Sequence, residues 1–134
     1  MTSYDLKIVT PDGLLYDGQA EEVIVRTTTG DIGIMAGHIN CVAPLGMGRA
    51  TVVINGKKRY AACIGGMVSV VNGDVTLVAT TFEWAENIDA QRADASYQKA
   101  QKILQDKSSS DTDIKMAEAR LKRALVRKSV ASEK

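Results

Sequence analysis

Asp89, Arg92, Ser96 and Lys99 fall on one face when they are drawn as a helix, beside a packing stripe begun by Ala93 and Tyr97. An aspartate three residues before an arginine is most often a helix cap with a solvated ion pair. Further on, Arg120, Arg123 and Arg127 lie within one narrow arc of a second helical pattern, opposite its expected apolar stripe. A cationic stripe is usually a solvated face. It can equally serve as a phosphate clamp or as the docking surface for an acidic partner. Interleaved aromatics are missing and the first part of the chain is slightly acidic, so nucleic acid is not an expected partner.

Classical catalytic groups are harder to find. His38 is the only histidine, which rules out a histidine-built metal cluster, and Cys41 and Cys63 are too far apart in sequence to make one by themselves. The segment from Gly30 to His38 is rich in glycine but lacks the lysine and hydroxyl residue of a phosphate-binding loop. Its glycines suit bends and close backbone contacts. No serine, cysteine or histidine stands as an activated nucleophile. The expectation is a protein without catalytic residues, metal or required cofactor.

The elements that must position these residues change character near residue 85. All eleven glycines and both prolines lie at or before Gly73. Such punctuation marks short strands and tight turns, and its absence from Ala85 onward marks uninterrupted helix. Tyr4–Val9, Glu22–Arg26 and Asp31–Met35 read as strands, with turns at Thr10-Pro11-Asp12-Gly13 and Thr28-Thr29-Gly30. Asn55-Gly56 and Asn72-Gly73 are hairpin dipeptides, each between two apolar runs: 50–54 and 59–62 for the first, 67–71 and 75–78 for the second. Eight or more such strands predict a sandwich or flattened barrel.

The helical part predicts a first helix over about 89–105, with Ala93, Tyr97, Ala100 and Leu104 as its packing stripe. A polar connector follows, and Asp111 or Thr112 is expected to cap a second helix that buries Ile114, Ala117, Leu121, Ala124 and Leu125. The alanines allow close antiparallel packing. Stripes this narrow and weakly apolar predict a hairpin that depends on docking for its stability. The fold class is thus α+β, mainly β: a sandwich over residues 1–84 and a helical hairpin over 85–134.

Net charge is +1, with the excess of cations in the hairpin half. The isolated cysteines read as reduced core residues. No apolar run is long enough to span a bilayer and the amino terminus is not signal-like, so membrane contact is expected only through a partner.

Three motifs, taken in order, resemble the epsilon subunit of bacterial F-type ATP synthases. They are Thr10-Pro11-Asp12-Gly13, the Gly30-Asp31-Ile32-Gly33-Ile34 segment with Gly37-His38, and the Ile-Asp-x-x-Arg-Ala run at 88–93 ahead of two alanine-rich basic helices. The resemblance spans essentially the whole chain. It implies a sandwich of about ten strands and a helix–loop–helix. It also implies a coupling role at the foot of the rotating stalk, with the gamma subunit and the proton-carrying c-ring as partners. Asp31 matches the position facing the ring's polar loops, and His38 lies in the segment that approaches gamma. The hairpin of such subunits can fold down or extend toward the alpha and beta subunits of the catalytic hexamer. When extended it inhibits hydrolysis, through the stripe matched here by Arg120, Arg123 and Arg127. The implied location is peripheral, on the cytoplasmic face of a bacterial plasma membrane.

In some members ATP binds the folded-down form as a regulatory ligand. Glu83, Ile88, Asp89, Arg92, Ala93, Arg123 and Arg127 match that pattern. Lys99 and Met116 depart from it, each standing where an ATP-binding relative can have arginine. Lysine keeps the charge but not the planar two-pronged fork, so weaker phosphate binding is expected. Two rival readings are a free-standing ATP-sensing module, and a small enzyme with its site near His38, where only Asn40 and Cys41 offer chemistry.

Overall fold

A computed structural model describes residues 2–133. The chain divides into two compact units, one ending at Trp84 and one beginning at Ala85.

The first unit contains β1 (Tyr4–Thr10), β2 (Gly13–Ala20), β3 (Glu22–Thr27), β4 (Gly30–Met35), β5 (Cys41–Pro44), β6 (Met47–Ile54), β7 (Lys57–Val71) and β8 (Asp74–Trp84). Their order in the sheet is β2-β1-β8-β7-β6-β3-β4, with β5 also paired to β7. Neighbours are antiparallel except β1 and β8, where Leu6 pairs with Val75 and Val9 with Val78 in parallel. Alternation decides the faces. Tyr4, Leu6 and Ile8 of β1, Val23 and Val25 of β3, and Val75, Leu77 and Ala79 of β8 are all buried in one core, which also contains Phe82 packed edge-on against Trp84.

The turn chemistry works as the sequence predicts. Asn55 and Asn72 both take positive φ, each followed by a positive-φ glycine, which gives the turn geometry matched to strand twist. Residues 59–62 and 67–71 read as two strands but form parts of one, the fifteen-residue β7. At its middle Gly65 and Gly66 have φ of 69° and 111°, and a Cβ on Gly66 would lie 1.9 Å from the Val78 carbonyl oxygen. Only glycine fits there. β5 and β6 continue one register along β7 on either side of this bend, tied across it by Leu45 N–H to Gly66 O and Gly65 N–H to Gly46 O. A bend of this kind lets a strand pass from one layer of a sandwich to the other. Among the described residues there are eight strands, fewer than the about ten that the resemblance implied, in part because β7 runs unbroken through the Gly65-Gly66 bend.

The second unit begins with one 3-10 turn, Ala85–Asn87, followed by α1 (Ala90–Gln105) and α2 (Asp111–Ala131). Asp89 caps α1. The cap of α2 is Ser110 rather than Asp111 or Thr112. Ser110 Oγ accepts the Asp113 N–H at 3.1 Å and the Asp113 carboxylate reaches back to the Ser110 N–H, a reciprocal box that Asp111 and Thr112 lack.

The helix contact is also rotated from its expected position. Ala93 and Ala100 of α1, and Ala117 and Ala124 of α2, are buried. Ile114 and Leu121 are only half-buried, and Leu125 is 47% exposed. Seven-residue spacing of alanines lets the backbones approach closely, and that geometry selects the small residues over the large ones.

Candidate functional site

The β3–β4 turn is built around Thr27, whose buried hydroxyl donates to Gly30 O at 2.6 Å and accepts the Thr29 N–H at 3.2 Å. This fixes Arg26 opposite Asp31 in the ladder, and Arg26 Nε donates to Asp31 Oδ1 at 2.5 Å. The hydrogen bond from Arg26 holds the Asp31 carboxyl below its ordinary range, with the Arg26 and Arg49 charges adding to it. Gly48 provides the space for Arg26, since a Cβ there would come within 2.7 Å of the arginine's own Cβ. Asp31 therefore offers a charge-compensated pair rather than a bare carboxylate.

His38 is half-buried just after β4. Its Nδ1 lies 2.8 Å from Ile39 O, so the Nδ1–H tautomer donates there, and Cys41 Sγ is 4.0 Å away. Exposed apolar neighbours flank it, Met35 and Ile39, the latter 77% exposed. An open groove of about 420 Å³ lies beside this segment, lined by Thr2, Glu21, Met35, Ala36 and Gly37. None of these is a candidate nucleotide residue.

The outer face of the sheet carries a feature that residue-by-residue reading did not reveal. Pro44 pairs with Met67, Met67 with Val78, Val78 with Val9, and Val9 with Leu14. Paired residues project from the same face, so one apolar row crosses five strands. Leu14, Met67 and Val78 are each about half exposed, with Val42 and Val71 exposed nearby. Alternation in each strand was the available signal, but cross-strand register was needed to assemble it.

In the hairpin, the Asp89 carboxylate accepts the Arg92 backbone N–H at 3.0 Å. Ile88 and Ala93 are buried, whereas Arg92 and Lys99 are exposed. Lys128 of α2 meets Asp94 of α1, which sets an antiparallel register. That register brings the start of α1, with Asp89 and Arg92, to the end of α2 that carries Arg127, and puts Lys99 level with Arg123. Arg120 is exposed, but Arg123 and Arg127 are half-buried. The arginine stripe thus flanks the alanine contact instead of lying opposite it, a direct result of the rotated seam. Met116 is 52% exposed on the same stripe. Glu83 lies on β8, half-buried opposite Ala62. Sequence reasoning missed Asp94 as a partner for Lys128, because ion pairs between helices cannot be read from spacing within one helix.

Residues 3–85 match the family described as ATP synthase, Delta/Epsilon chain, beta-sandwich domain, and residues 86–132 match its long alpha-helix domain. The chain is 44% identical over 131 residues to the ATP synthase epsilon chain of Bacillus velezensis, covering 98% of each. It is 45% identical over 115 residues to that of Bacillus subtilis, covering 86% of each. The chain belongs to the ATP synthase epsilon family.

Epsilon chains are stalk subunits and not catalytic ones, in keeping with the expectation of a non-catalytic subunit. The epsilon fold is also found in a Euglena gracilis mitochondrial ATP synthase assembly of OSCP, F1 and c-ring. That match has a TM-score of 0.84 at 22% identity and covers all of this chain and 83% of the other. A central-stalk and c-ring structure from Tetrahymena thermophila mitochondrial ATP synthase matches with a TM-score of 0.65 at 11% identity, covering 95% of each chain. These likenesses concern the fold. Among the described residues of this epsilon-family chain, no helix is long and apolar enough to cross a membrane.

Proposed function

We propose that this subunit couples rotation at the foot of a proton-translocating F-type ATP synthase, with its sandwich seated on gamma and the c-ring. The observation that carries this reading is the apolar row from Pro44 to Leu14. Contiguous apolar surface on a small domain marks a protein-binding face, and five strands of it suit a rigid, permanent partner better than a transient one. Asp31 and His38, at the β3–β4 turn and the loop after β4, are the further contacts. In this reading the subunit sits peripherally, at the cytoplasmic face of a bacterial plasma membrane.

The hairpin is the regulatory arm. Extended, it places Arg120, Arg123 and Arg127 against acidic segments of the alpha and beta subunits and brakes hydrolysis. Folded down, it takes ATP through Glu83, Ile88, Asp89, Arg92, Ala93, Lys99, Arg123 and Arg127. A ligand that binds only one state stabilises it by about 1.4 kcal/mol at about tenfold excess over Kd. That shifts a balanced equilibrium to about 10:1, enough to regulate without locking. The exposed Arg92, level with the end of α2, and the exposed Lys99, level with Arg123, support this reading.

The deciding experiment is co-purification with gamma of the wild type and of Val78→Asp. The substitution lies on the outer face and leaves the core intact. Loss of gamma from an otherwise folded variant is the expected result. Undiminished gamma binding by Val78→Asp would move the interface off this row, and a wild type that does not hold gamma would favour a free-standing nucleotide sensor, whose sandwich only supports the hairpin.

A further inference from the structure

We infer that Lys128 is a clasp that holds the hairpin shut at its free end and makes that closure sensitive to ionic strength. The inference concerns the hairpin alone, and only its regulatory consequence rests on the function proposed above. The two ends of the hairpin are fastened differently. At the loop end, the Ser110–Asp113 box and the Ser109 hydroxyl, which donates to Ile103 O at 2.8 Å, tie connector to helix. Between the ends the contact is made by alanines, which bury little surface each. At the free end, where Val130 is fully buried and Ala131 and Ile88 nearly so, one ammonium group adds a hold on two positions of α1. Lys128 Nζ donates to Asp94 Oδ1 at 2.9 Å and stands 4.3 Å from the centre of the Tyr97 ring.

Asp94 and Tyr97 are three residues apart on α1, one turn, so a single cation can meet both. The ring is itself anchored, its hydroxyl accepting from Gln101 Nε2 at 2.9 Å. A lysine in the last turn of α2 also interacts favourably with that helix's dipole. The side chains of Lys128 and Asp94 are 36% and 52% exposed. Salt reaches a pair this exposed and screens it. The clasp is therefore the salt-sensitive part of the closure at this end, acting beside the buried Val130, which screening does not loosen.

The test is amide hydrogen exchange on the full chain at low and high salt, for wild type, Lys128→Met and Lys128→Arg. Methionine keeps the apolar stem and removes the charge. We expect exchange over 124–131 to rise about fivefold in Lys128→Met, the range of one exposed ion pair with a cation–π contact. Exchange at the loop end and in the sandwich should stay unchanged. Lys128→Arg should retain protection, and added salt should speed wild-type exchange but not that of Lys128→Met. Wild-type exchange in Lys128→Met, or an equal rise along the whole hairpin, would overturn the clasp. ATP hydrolysis by the assembled enzyme separates the two readings. Faster exchange with unaltered hydrolysis keeps the clasp and counts against the braking arm.

Discussion

The Asp89 carboxylate accepts the backbone N–H of Arg92, so the two charged residues of the Ile88–Ala93 run are joined through main chain and not through their charges. The aspartate is committed to starting α1, and the guanidinium is left exposed. This division separates the structural role of the run from its proposed role in binding.

Asp89→Ala should destabilise the hairpin by about 1 kcal/mol, the usual cost of a lost cap. Arg92→Ala should leave the helix intact, because the capping donor is its backbone. It should still weaken ATP binding at least about tenfold, the loss of one charge-assisted contact. Helix-unfolding curves and calorimetric titration of ATP into both variants check this. Equal nucleotide affinity in Arg92→Ala and wild type would reduce the run to a helix start.

Gly66→Ala should be among the most damaging single substitutions in the sandwich. Its φ of 111° and the 1.9 Å approach to Val78 O leave no place for a methyl group. A loss of about 3 kcal/mol or more is expected, combining backbone strain with displacement of β8. Gly73→Ala also has positive φ but meets nothing within 4 Å, so only strain of about 1 kcal/mol applies. Denaturant midpoints of the two variants should differ clearly in that order.

The Arg26–Asp31 pair predicts a small acid-side effect. The Asp31 carboxyl is held low by its hydrogen bond from Arg26. A depressed carboxyl contributes stability above its unfolded value, about 3.9, and loses it as pH falls through the lower folded value. Both side chains are more than half exposed, so solvent screening keeps the contribution small. Urea unfolding of wild type and Asp31→Asn should differ slightly at neutral pH and converge below the ordinary carboxylate range. A gap that persists in acid would mean that the pair contributes by shape, not charge.

Burial pushes the Cys63 thiol up to about 12, while Cys41 is half-buried. A thiol held protonated is a poor nucleophile. Native protein should therefore be alkylated at Cys41 first, with Cys63 reacting only after unfolding, as mass spectrometry after timed labelling would show. Prompt modification of Cys63 would indicate that the core opens around β7.

Local chemistry made much of this structure legible in the sequence. Asparagine followed by glycine specified both hairpins, because few residue pairs tolerate two positive φ values in succession. Asp89 was readable as a cap for the same local reason. Features decided by distant partners were not readable. Gly65-Gly66 looked like a gap between strands, yet hydrogen bonds to Leu45 and Gly46 carry β7 straight through it. Asp111 or Thr112 was expected to cap α2, and the reach of the Asp113 carboxylate back to Ser110 selected Ser110 instead. Leu125 was expected inside by periodicity, but close approach of the helices favoured alanine. Of the candidate sites, the charged residues were visible one by one. The outer apolar row and the Lys128 contacts required knowing which elements lie side by side.

The parallel pairing of β1 with β8 bears on how the chain is made. Leu6 cannot reach Val75 until that residue has left the ribosome, so the first hairpin to emerge must wait with one of its edges unpaired. Strands β3 to β7 can pair among themselves in the meantime. Synthesis therefore leaves the final closure of the sandwich to its oldest segment, and a pause before β8 would expose an unprotected edge to other nascent chains.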